Sequence, residues 1–187
     1  MKDFVRPAGR LGALPFHARL TYSIFLFFTL VALAFTAWLG ADMLAPDLHR
    51  LDEYYAGAAA ISGGTHAGAA SANGPQIDLP EDSAPAPDPI PLRKLLEVTH
   101  FHLFSMPVYL MILSHLFMLS TLSPRMKSWW IALGSLGVFT HIAAPWVARQ
   151  GGAPAHAFYA LSGTLLAASF SVMSAVPLWE MWRKRRA

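Results

Sequence analysis

Apolar residues in this chain gather into four runs of about 20 residues, covering roughly 20–41, 95–121, 128–148 and 154–179. That is the length a helix needs to cross the hydrocarbon of a bilayer. Polar or helix-breaking stretches divide the runs. Pro91-Leu92-Arg93-Lys94 precedes the second, Ser123-Pro124-Arg125 separates the second from the third, and Gln150-Gly151-Gly152 separates the third from the fourth. The pattern predicts an all-α, polytopic four-helix membrane bundle, a single membrane domain over residues 1–187. The segment between the first two runs, about 42–91, reads as a long loop in two parts. From Asp42 to Tyr55 it is mixed and suits a short interfacial helix. From Ala56 to Pro91 it is Ala, Gly, Ser and Pro with scattered acids, a low-complexity composition that buries no core and predicts a disordered or extended linker.

Composition agrees with this pattern. Apolar residues make up 55% of the chain and charged residues 13%, about half the soluble norm. There is no cysteine. Disulfides, iron–sulfur clusters, thiolate metal sites and covalent c-type haem attachment are therefore excluded.

The distribution of charge sets the expected direction. Lys2, Arg6, Arg10 and Arg19 precede the first run, Arg125 and Lys127 lie between the second and third, and 183–186 is a basic cluster. Only Arg50, Arg93, Lys94 and Arg149 fall on the other side, which holds nine of the eleven acids. The positive-inside rule then places both termini in the cytoplasm of a bacterium, with the chain in its inner membrane and the long loop outside. Trp129, Trp130, Trp179 and Trp182 fit an aromatic belt at the inner boundary. The basic residues are thus topology anchors, and no nucleic-acid partner is expected. The first run is longer than the apolar core of a signal peptide and has no clear small-x-small cleavage site, so it is expected to be a retained anchor.

The candidate chemistry is histidine. The second run carries His100, His102 and His115, and His141 and His156 lie on the next two. An ionisable group at membrane depth normally faces a bundle interior and marks a site. At ~1.5 Å rise per residue, His102 lies roughly 12 Å below Lys94, and His141 roughly 12 Å below Arg149. The helices run antiparallel, so the two imidazoles reach one level, as the axial ligands of a haem must. His102 shares a stripe with Met106 and Tyr109. His141 shares one with Gly134, Gly137, Ala144, Pro145 and Ala148, a smooth face suited to a flat cofactor or to another helix. His100, ~160° around the helix from His102, and His156, near the start of the fourth run, are alternates. His115 is 13 positions past His102, ~140° off its face. A second haem through His115 and His17 is one option, and a core hydrogen bond or a quinone contact for His115 is another. Arg93, Lys94 and Arg149 lie above the His102 level, where cations neutralise haem propionates. Tyr109, Phe104 and Trp146 are candidates to pack the ring edge. His49 and His66 fall in the loop and are expected to be solvated.

Four spans and paired histidines at one depth resemble small membrane b-type cytochromes and quinone-linked membrane anchor subunits. The resemblance implies a haem b held by His102 and His141. It also implies electron transfer between the quinone pool and a periplasmic cytochrome or other partner, by the chain alone or as a subunit of an oxidoreductase complex. Two other readings remain open. One is a Zn or Cu site built from His100, His102, His141 or His156. A di-iron site at Glu97-x-x-His100 would need further carboxylates that the spans do not supply. The other is an anchor or assembly subunit without a cofactor, bound to other membrane subunits. No phosphate-binding glycine loop, nucleophile elbow or His-Glu-x-x-His helix is present, so no catalytic residue is assigned.

Overall fold

A computed structural model describes residues 11–44, 49–57 and 89–183. A short 3-10 turn, Leu11–Ala13, leads into α1 (Phe16–Leu44); α2 is His49–Tyr55, α3 Leu92–Met118, α4 Pro124–Ala148 and α5 Gly152–Trp182. The described residues contain no strand. The four long helices are each apolar enough to cross a membrane, and α2 is the short helix anticipated within 42–55. The predicted linker falls almost wholly on residues outside the described ones.

The helices extend a few residues beyond most of the apolar runs. Pro91 is the N-cap of α3. Ser123 caps α4 by accepting from the Met126 amide at 3.4 Å, with Pro124 in the first turn, where its missing N–H costs nothing. Between α4 and α5 the chain reverses through Gly151 and Gly152, whose φ values of 69° and 81° only glycine adopts readily. Several hydroxyls inside the bundle bond back to their own helices. Thr140 donates to Leu136 O at 2.9 Å and Ser169 to Leu165 O at 2.7 Å, which satisfies them where water is absent.

The helices are apolar on all sides. Phe28, Phe35, Trp38, Phe101, Phe104 and Phe139 are among many large side chains left exposed, far more apolar surface than a soluble monomer shows. Lipid covers this surface.

The tightest seam joins α4 to α5. A Cβ added at Gly137 would lie 3.0 Å from Leu166 N and 3.2 Å from Leu165 C, so backbone meets backbone there. The small-residue face of α4 is therefore a helix-packing surface. Gly134, Gly137, Ala144 and Ala148 are buried, as are Ser162, Leu166, Ser169 and Met173 of α5.

The bundle is closed at one end and open at the other. At the closed end Leu11, Leu26, Leu113, Phe117, Phe170 and Met181 form one buried cluster. Glu180 accepts from the Thr121 amide at 2.8 Å and from its hydroxyl at 2.7 Å, pinning the α3–α4 turn. Arg19 donates to Met181 O at 3.4 Å and lies over the Trp182 ring, whose Nε1 donates to Ser23 at 2.8 Å. Mid-bundle, Tyr109 donates to Thr29 and joins α3 to α1. Beyond Thr29, α1 buries no further residue, and spaces open between it and the other helices.

The Gly137 contact yields a paired test. Gly137→Ala should cost about 1–3 kcal/mol in SDS titration from mixed micelles, because backbone must give way. Gly163→Ala, where nothing lies within 4 Å, should leave stability unchanged or raise it by up to about 1 kcal/mol through helix propensity.

Candidate functional site

Antiparallel packing brings His102 of α3 and His141 of α4 side by side at the open end, edge toward ring. Their ring centres are 6.0 Å apart and the planes meet at 60°. His102 Nδ1 lies 2.7 Å from Val98 O, one turn back on its own helix. A carbonyl only accepts, so Nδ1 carries the hydrogen, and Nε2 is the nitrogen left to act as a ligand. His141 Nδ1 is buried with no hydrogen-bond partner. An orphaned polar atom of this kind costs about 1–3 kcal/mol unless something bound satisfies it.

Beside the pair is a cavity of about 300 Å³ to which all five helices contribute, through Gly40, Tyr55, Thr99, His102, His141 and Tyr159 among others. Its lining includes no Lys, Arg, Asp or Glu. On the α3–α4 side, Trp146 Nε1 donates to Thr99 Oγ1 at 2.9 Å, clipping the two helices together near the level of the histidines.

The helix α2 covers this cavity. Asp52 is the fixing residue, since its Oδ1 accepts from the Gly152 amide at 3.3 Å and from His156 Nε2 at 2.9 Å. It thereby caps α5 from another element and meets the partial positive charge of that helix start. Both side chains of the pair are nearly buried, at 13% and 14% exposure. Three residues on, Tyr159 packs against Tyr55, with ring centres 6.1 Å apart. Sequence reasoning missed Asp52, Tyr55 and Tyr159. Asp52 was one of many acids in a loop, and only folding shows that it lies opposite the start of α5.

The other candidates separate. His156 is taken by Asp52 and does not line the His102–His141 cavity. His100 is exposed on the far side of α3, against Phe104 at 5.0 Å. Glu97, in the Glu-x-x-His arrangement with His100, pairs with Arg93 at 3.1 Å. Lys94 is exposed at the same end, and Arg149 donates to Ile90 O at 2.9 Å. Tyr109, seven positions beyond His102, is engaged with Thr29 and packs on Phe25 and Phe170. His115 and His17 are both exposed. Among the described residues, no group of three or more His, Cys, Asp or Glu side chains is placed to share a metal ion.

Burial raises the Tyr55 hydroxyl well above the usual tyrosine value, with contributions from the nearby Tyr159 and Tyr54. Above about pH 10 the unfolded chain releases this proton while the folded one keeps it, so stability falls as pH rises. Tyr55→Phe should flatten that alkaline loss in SDS-unfolding curves recorded across the range, and leave stability near neutral pH less affected.

No curated protein and no solved structure matches the chain. Residues 47–187, which include α2 to α5 and hence His102, His141, Asp52 and His156, match a family model described as a transmembrane helical domain. The chain belongs to that transmembrane helical domain family, Aq_1264_TM.

Proposed function

We propose that this chain is a membrane electron carrier that holds one b-type haem between His102 and His141. The observation that carries the reading is the facing pair on antiparallel helices. Imidazoles on opposite sides of one ion, each nitrogen about 2 Å away, have nitrogens about 4 Å apart and ring centres somewhat further. The 6.0 Å separation is of that size.

The donor set also fits. A tetrahedral Zn or Cu ion takes most of its ligands from protein, whereas a haem brings its own equatorial nitrogens and asks for two axial side chains. Two is what this site offers. When bound, the haem iron supplies a one-electron couple. The protein's part is to hold and orient. The Val98 carbonyl fixes the His102 tautomer and ring angle, as second partners do for ligating histidines. The Thr99–Trp146 bond keeps α3 and α4 in register, and Lys94 stands exposed at the same end for a propionate, beside Arg93, which pairs with Glu97.

The positive-inside rule supports the closed, basic end as cytoplasmic in a bacterial inner membrane. The site then lies toward the periplasmic face, with the quinone pool and a periplasmic carrier, or a partner subunit, as its redox partners.

Protein purified from haem-replete cells should show a Soret band and a reduced-minus-oxidised α band, with about one haem per chain by pyridine haemochrome. His102→Ala/His141→Ala should lose both bands while retaining its helical circular dichroism. Bands that persist in the double variant, or wild-type protein that takes up no haem, would sink the assignment.

A further inference from the structure

A second space adjoins the histidine cavity. Between the open-end half of α1 and the first half of α5 runs a cleft of about 410 Å³, walled by Leu33, Ala37, Ala41, Ala160 and Ala167, with almost no polar surface. Gly40 on α1 and Gly163 on α5 both line it, and a Cβ added at either would meet nothing within 4 Å. Small residues on facing helices ordinarily mark close packing, as they do at Gly137. Here the small faces stand apart and leave a slot.

Thr36, Gly40 and Tyr159 line both spaces. The slot therefore adjoins the histidine cavity, with Tyr159 in the lining of both. What fits is a molecule with an apolar tail and a compact polar head. Charge narrows the class further. Neither lining includes Lys, Arg, Asp or Glu, so a phosphate-bearing lipid head would be buried without a counter-charge, at high cost. A neutral head that accepts and donates hydrogen bonds is what tyrosine hydroxyls can satisfy.

We infer that the α1–α5 cleft is a lateral binding site for a prenyl quinone or quinol, with its tail between Gly40 and Gly163 and its head against Tyr159, where the cleft adjoins the histidine cavity. The inference deepens the electron-transfer reading and rests on it for its purpose. Its physical claim, that the cleft holds a neutral-headed prenyl lipid, is separately testable.

The test uses the full chain in phosphatidylcholine nanodiscs and a photoactivatable benzoquinone with a decyl tail. Label should appear in peptides spanning 33–44 and 159–168, and unlabelled decylquinone should displace it. Gly163→Leu and Gly40→Leu each place a side chain in the slot, since a Cβ at either position meets nothing within 4 Å, and each should cut labelling about tenfold or more. Tyr159→Phe should weaken it less, because the tail site survives. Labelling that is unchanged in both leucine variants, or that excess phosphatidylglycerol displaces as well as decylquinone does, overturns the site. Absorption spectra of the same samples keep the two proposals apart. Specific labelling without haem bands would remove the haem and leave the quinone site, whereas bands retained in Gly163→Leu with labelling also retained would remove the site and leave the haem.

Discussion

The close approach of α4 to α5 at Gly137 is the contact on which the rest of this structure depends. Lipid tails are as apolar as leucine, so membrane helices gain little from merely hiding apolar side chains from one another. They gain from dispersion at short range, and Gly137 lets the Leu165–Leu166 backbone come within that range. His141 is one turn further along α4. Because α5 fills the small-residue face beside it, the imidazole is held at the edge of the seam, turned toward α3 and α1.

Closure at one end complements this seam. The α3–α4 turn is tied to α5 by Glu180, and α1 is tied to α5 through Arg19, Ser23 and Trp182. Beneath these ties Phe117, Phe170 and Met173 are fully buried. Fixed at one end and joined mid-way through Thr29 and Tyr109, α1 can part from the other helices beyond that point without losing the bundle. The divergence makes both the cavity beside the histidines and the cleft beside α1.

At the open end the cover is polar. One carboxylate, Asp52, holds α2 by serving the first amide of α5 and the imidazole of His156 together. Nearly buried charge-assisted bonds of this kind fix geometry more than they add stability. Tyr55 is thereby set against Tyr159 over the cavity. The residue that sequence reasoning weighed as a spare haem ligand, His156, turns out to be an anchor for the cover.

The sequence by itself determined the four membrane helices, because about 20 consecutive apolar residues admit almost no other structure in lipid, where every backbone group must be bonded within its own segment. Rise per residue also made the common depth of His102 and His141 legible, since depth along a straight helix is arithmetic. Rotation about each helix axis, and the identity of the neighbour on each face, were not legible in the same way. The glycine and alanine stripe of α4, sharing a face with His141, leaned toward a flat cofactor in sequence, and only the position of α5 showed that a helix occupies it. The Asp52–His156 pair spans a hundred residues, and no local period carries such information. Tertiary structure also decided that Gly137 meets backbone while Gly40 and Gly163 face open space, because a glycine in sequence records only that room is available, and the neighbouring chain determines whether the room is filled.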